Sequence, residues 1–86
     1  MLEKAGITAR VMQYIVRESF SHEGSVREET LIFENGLLDS MGFLLLIDFL
    51  KQEFQIEVLD SDLVDDNFRS INNISAFVIK KLEQLE

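Results

Sequence analysis

Apolar residues recur every three or four positions along three separate stretches of this chain, and no two alternating runs are present to pair as strands. That combination restricts the fold to packed amphipathic helices. In the first stretch, Ile7, Val11, Tyr14 and Ile15 repeat at helical spacing with Glu18 continuing the series, which predicts a helix over about Ile7–Phe20 with one buried stripe. In the second, Phe43, Leu46, Ile47, Leu50 and Phe54 supply a core face, and Ser40 starts the helix, which should end near Glu53 or Phe54. In the third, Ile71, Ile74, Phe77, Val78, Leu82 and Leu85 follow Ser70, a natural N-cap. Leu46, Leu50, Phe54 and Phe77 are the predicted shared core.

The connections carry as much information as the helices. With no proline in the chain, glycine and short polar runs mark the boundaries. Ser21 to Ser25 form a break. The following segment, Val26–Leu38, holds Leu31, Ile32, Phe33, Leu37 and Leu38 without a sustained period, and reads as a long loop folded onto the core, with a helical turn near Glu28–Phe33. Ile56-Glu57-Val58 alternates but is too short to require a sheet. Asp60 or Ser61 is placed to cap a short turn through Leu63 and Val64. The expected architecture is therefore all-α, a four-helix bundle of three longer helices and one short brace, in a single domain spanning residues 1–86 with its core at about 7–85.

Composition narrows the functional classes. The 86 residues are 47% hydrophobic, too apolar for a disordered chain even at a net charge of −8. Sixteen acidic residues face eight basic ones, and between Glu23 and Asp66 the acids are offset only by Arg27 and Lys51. Such a surface does not displace counterions from a nucleic-acid backbone, but it can steer basic partner proteins. The absence of cysteine excludes disulfides, thiolate nucleophiles and cysteine-bound metals. No stretch reaches the roughly 18 apolar residues of a spanning helix. The expectation is a soluble, cytoplasmic protein, monomeric, without membrane insertion.

The segment Glu34-Asn35-Gly36-Leu37-Leu38-Asp39-Ser40-Met41-Gly42 is the sharpest feature. Gly36 permits a turn, Leu37 and Leu38 anchor the loop, and Ser40 opens a strongly periodic helix. Two roles fit Ser40 on this geometry, and ordinary capping is the one that periodicity favours. Its hydroxyl can cap the helix by accepting a first-turn N–H, or it can carry a phosphodiester in the field of the unpaired first-turn amides. Leu44, Leu45 and Phe49 widen the apolar face of this helix beyond what core packing requires. Either the Val26–Leu38 loop covers that surplus or a partner does.

The run Gly36-Leu37-Leu38-Asp39-Ser40-Met41 resembles the attachment motif of the acyl carrier and peptidyl carrier family, in which an Asp-Ser pair followed by Leu or Met opens the second helix. The resemblance extends from about residue 7 to residue 85, including the long first loop, the Phe54–Val58 passage and the final helix. The Asp-Ser-Met version is similar to that of carriers of D-alanine and other small cargo. The resemblance implies 4'-phosphopantetheine attached to Ser40 by a phosphopantetheinyl transferase. It also implies cargo held as a thioester, exchanged with an acyl- or aminoacyl-activating ligase and an acyltransferase or synthase, and a chain that is itself no enzyme. By the same resemblance Asp39, Met41, Leu44, Leu45, Asp48, Val64 and Asp65 would meet partners. Gly42, Phe43 and Leu44 stand where many fatty-acid carriers have acids, so a greasier partner surface and a dedicated pathway are expected.

Three other readings compete with this one. A hydrolase would pair Ser40 with His22, the single imidazole, but no Gly-x-Ser-x-Gly elbow is present. A calcium loop starting at Asp60 would place Val64 fifth, Asp65 where glycine turns the chain, and Ile71 where a glutamate closes the site. An unmodified helical interaction module using the Phe43–Phe49 surface explains the acidity and the surplus hydrophobes, though not the Asp39-Ser40-Met41 run.

Overall fold

The computed structural model describes residues 3–19 and 26–85. Helix α1 runs Lys4–Ser19, α2 Ser40–Phe54, α3 Asp65–Phe68 and α4 Ile71–Leu85, with a 3₁₀ turn at Asp60–Asp62 before α3. The all-α architecture of three longer helices and one short one is as the periodicity predicts. No strand occurs among the described residues; Ile56-Glu57-Val58 is extended chain, and the one isolated bridge joins Leu31 to Ser70. No helix among them is long and apolar enough to cross a membrane. His22, the imidazole a hydrolase would need, lies outside the described residues.

Helix α4 packs against each of the other three. Ile71, Ile74, Phe77 and Val78 are buried along it, against Ile7, Val11, Tyr14 and Ile15 of α1 and Leu46, Leu50 and Phe54 of α2. A polar contact sits inside this apolar seam. Thr8 Oγ1 donates to Ser75 Oγ at 2.9 Å, and Ser75 Oγ donates to the Ile71 carbonyl at 2.9 Å. Both side chains are small, so the α1 and α4 backbones approach closely while the buried hydroxyls stay satisfied. Helix α2 closes against α1 through a stacked pair, Tyr14 on Phe49, with ring centroids 4.1 Å apart, and through the ion pair of Arg10 with Glu53.

Several boundaries differ from expectation for identifiable reasons. Helix α1 begins a turn early, at Lys4, because nothing in Lys4-Ala5-Gly6 stops it and Ile7 donates its N–H to the Glu3 carbonyl. In the loop, the main turn lies at residues 32–36 instead of near Glu28–Phe33. Asn35 closes back on the Leu31 carbonyl, and Gly36, at φ +71°, reverses the chain so that Leu37 N–H reaches the Ile32 carbonyl. The loop is then tied to the start of α4, since Ile32 N–H donates to the Arg69 carbonyl and Asn72 N–H to the Glu28 carbonyl. Ser70 caps α4 as predicted, accepting the Asn73 N–H at 3.2 Å. Helix α2 ends at Gln55, whose φ of 52° is left-handed without a glycine and turns Ile56 into the core.

The predicted cap of the short brace is the clearest correction. Neither Asp60 nor Ser61 caps it. Asp62 instead bends back to accept the Leu59 N–H, closing a tight turn, and extended Val64 separates that turn from α3.

The burial pattern of α2 sets a measurable contrast. Leu46 is fully buried and Gln52 exposed, so Leu46→Ala should lower unfolding stability by about 2–5 kcal/mol and Gln52→Ala by no more than about 0.5 kcal/mol. Urea denaturation with an unchanged slope measures both; equal midpoints would mean that α2 presents a different face to the core.

Candidate functional site

The start of α2 is fixed by Asp39, not by Ser40. Asp39 has the extended backbone of an N-cap (φ −97°, ψ −169°), and its Oδ1 accepts the Gly42 N–H at 2.7 Å while its carbonyl accepts the Phe43 N–H at 2.8 Å. Gly42 makes room for this arrangement. A Cβ there would stand 3.1 Å from Leu38 Cδ2 and 3.3 Å from Asp39 Oδ1, crowding both the anchor and the cap. The capping role expected of Ser40 therefore belongs to its neighbour. Ser40 is the first helical residue, exposed, and its hydroxyl makes no hydrogen bond among the described residues. A serine freed from capping has its oxygen available for chemistry, next to the first-turn amides that every helix leaves unpaired.

Ser40 stands at the mouth of an open apolar groove of about 600 Å³. One wall is α2, through Phe43 and Leu44. The other is the segment leading into α3, through Leu63, Val64 and the first α3 residue, Asp65. The floor is aromatic. Phe33 of the loop meets Phe43 edge-on at 5.5 Å, and Phe43 meets the buried Phe68 at 5.4 Å. Phe68 in turn contacts Phe77 at 5.1 Å, which joins the groove floor to the core of α4. The loop thus covers Phe43 through Phe33 but leaves Leu44 and Leu45 open.

The large apolar side chains left exposed among the described residues all fall in two places, Met41, Leu44 and Leu45 on α2 and Leu59, Leu63 and Val64 before α3. Exposures of 63% at Met41 and 61% at Leu44 are far above what packing against the bundle would leave. Asp39, Ser40, Leu44, Val64 and Asp65 share the groove, as the sequence reading grouped them. Met41 and Leu45 do not line it. They border a smaller depression on the α1 side of the helix start, with Tyr14, Leu37 and Gly42.

Asp48 is exposed but lines neither depression; it follows Leu45 by three residues on the same helix face, and its charge acts on Tyr14. Asp65 is not a free acid, because Arg69 binds it through two nitrogens at 3.0 and 2.7 Å and also reaches Asp66 at 3.1 Å. Asp62 and Asp66, which with Asp60 would supply the oxygens of a calcium loop, are divided as well. Asp66 turns to Arg69, while Asp62 binds Lys81 at 2.6 Å. Hydrogen bonding from Lys81, then from the Leu59 amide, holds the Asp62 carboxyl below the ordinary aspartate range.

Phe33, Leu63 and Phe68 are groove residues that sequence reasoning did not assign to the site. A signal for Leu63 exists in Asp60-Ser61-Asp62-Leu63-Val64-Asp65-Asp66, where two apolar residues lie among acids with no helical partner positions. Phe33 and Phe68 each meet Phe43, and only through tertiary packing. No family model matches this chain, and no curated protein matches it.

The reassigned cap can be measured directly. Asp39→Ala should cost about 0.5–2 kcal/mol, whereas Ser40→Ala should stay within about 0.5 kcal/mol of the parent. Denaturant melts of the two variants decide it, and a larger loss at Ser40 would return the cap to the serine.

Proposed function

We propose that this domain is a carrier that bears 4'-phosphopantetheine on Ser40 and presents an acyl or aminoacyl group to partner enzymes. The observation that carries this reading is an exposed, uncommitted serine hydroxyl at the first position of a long helix, at the mouth of an apolar groove. The residues fit the group on three counts. Ser40 Oγ is accessible to a second protein, the neighbouring carboxylate is occupied in capping, and the groove offers apolar cover beside the attachment point.

In the attachment step, Ser40 Oγ attacks the phosphorus of coenzyme A that bears the pantetheine. The new O–P bond replaces the bond to adenosine bisphosphate, and the hydroxyl proton passes to a base of the phosphopantetheinyl transferase. The Ser40 and Met41 amides lie in the positive field of the helix start and favour the resulting phosphodiester. Once bound, the arm supplies a terminal thiol that holds cargo as a thioester. The chain's own residues then position and present. Phe33, Phe43 and Leu44 offer apolar contact along the groove, and Met41, Leu44 and Leu45 offer it to a docking partner. A ligase that loads the thiol and an acyltransferase or synthase that unloads it would meet this edge. On this reading the domain works as a substrate of enzymes in the cytoplasm and catalyses nothing itself.

A second reading draws on the same exposed edge, since Met41, Leu44, Leu45, Leu63 and Val64 would also suit an unmodified interaction module. Intact-mass analysis after incubation with coenzyme A, magnesium and a broad-specificity transferase separates the two. A gain of one phosphopantetheine, absent in Ser40→Ala, is expected. No gain on the parent protein would favour the unmodified module, and a gain persisting in Ser40→Ala would move the site.

Leu45→Asp, made in fully modified protein, should weaken loading by a cognate ligase about tenfold or more with little change in melting temperature. A loss of fold would place Leu45 in the core, and unchanged loading would remove it from the interface.

A further inference from the structure

The outer wall of the groove is built from a segment that does not hold itself in place by burial. Leu59, Leu63 and Val64 are 50%, 43% and 49% exposed, and the turn at Asp60–Asp62 buries no residue. The segment is fixed at its ends, by buried Ile56 before it and buried Phe68 after it. Between those points its structure gathers on Asp62. The Asp62 carboxylate accepts the Leu59 N–H at 2.9 Å, and its carbonyl accepts the Val64 N–H and Asn67 Nδ2, each at 2.8 Å. The same carboxylate oxygen meets Lys81 Nζ at 2.6 Å. Another tie from α4, Asn73 Nδ2 to the Asp66 carbonyl at 2.7 Å, falls beyond the wall.

Lys81 is unlike a surface lysine. Its side chain is only 12% exposed and that of Asp62 only 20%, and its ammonium lies 5.7 Å from the centre of the Phe77 ring. The adjacent Lys80 is exposed. The charged groups acting on Asp62 from α4 are Lys81 and Lys80, while the acids of α3 are turned to Arg69. A partly covered ion pair has a consequence that an open one lacks. Removing one charge leaves the other short of water and short of a partner, and the flexible side of the contact moves to regain solvent. Here the flexible side is the groove wall.

We propose that Lys81 and Asp62 form a latch that holds the outer wall of the groove in place, so that Lys81 is a positioning residue for any apolar group the groove receives. The functional weight of the latch rests on the carrier reading, because that reading makes cargo the occupant. Its geometry does not, because Ser40 takes no part in the contact. A groove whose wall is latched is formed before its occupant arrives. An unlatched wall samples other positions, and apparent affinity falls with the fraction of molecules in which the groove exists.

The test uses the unmodified full chain and the neutral fluorescent probe N-phenyl-1-naphthylamine, with Leu44→Asp placing the probe in the groove by weakening it. Lys81→Met should lower probe affinity roughly tenfold, whereas Lys81→Arg, which restores the charge, and Lys80→Met, which leaves the pair intact, should each stay within about twofold. Hydrogen exchange should quicken at the amides of residues 59–64 in Lys81→Met and stay unchanged in α1 and the first turns of α4. Should Lys81→Met melt as a whole, Asp62→Asn reads the same loss from the other partner. The proposal is overturned by a parent protein that does not bind the probe, by Lys81→Met binding as tightly as the parent, or by Lys81→Arg losing as much as Lys81→Met. No phosphopantetheine is needed, so a failure to attach the arm leaves this result standing on its own.

Discussion

The structure depends on the seam between α1 and α4, and that seam depends on two small hydroxyls. Thr8 and Ser75 let the helix axes come close where larger apolar residues would hold them apart, and each hydroxyl keeps a partner in doing so. Ile7, Val11, Ile15, Ile74 and Val78 can then interlock at full burial. With α4 held in this way, its remaining sides are free to receive α2 and α3. Phe77 passes the packing on to Phe68, and Phe68 to Phe43, so the groove floor is an outward continuation of the core.

Much of this was legible in the residues. The periodicity of Ile7 to Ile15, of Leu46 to Phe54 and of Ile71 to Val78 placed three helices and their inward faces, because burial of a stripe is a local pattern with a global cause. The same count marked Leu44, Leu45 and Phe49 as surplus without saying what covers them; Leu44 and Leu45 stay exposed, while Phe49 stacks on Tyr14. What failed was register and pairing. Asp39 and Ser40 are both good caps, and the bond from the Gly42 N–H to Asp39 Oδ1 shows that the helix takes the aspartate. The tie from the Asp60–Asp62 turn to α4 runs through Asp62 and Lys81, a pairing distant in the chain and silent in any local window. Asp65 reads as a free acid until Arg69 is seen to hold it.

Those pairings change how the charge of the domain is read. A net charge of −8 suggests a uniformly repelling surface, yet Asp65 and Asp66 converge on Arg69, Asp62 on Lys81, and Glu53 on Arg10. The acids left near the start of α2 are few, and the face beside Ser40 is set more by leucine, valine and methionine than by carboxylates. On the carrier reading, a basic partner at that edge would meet long-range attraction from the whole molecule and apolar contact at close range.

The Thr8–Ser75 contact also bears on how the domain is made. The two residues stand 67 positions apart, so α1 leaves the ribosome long before the helix that completes its core exists. During that interval its apolar stripe lacks the α4 residues that it packs against, although α2 already offers Phe49 to Tyr14. Joining residues 67 positions apart raises the loop-closure cost of the α1–α4 seam and the contact order of an otherwise local helical fold.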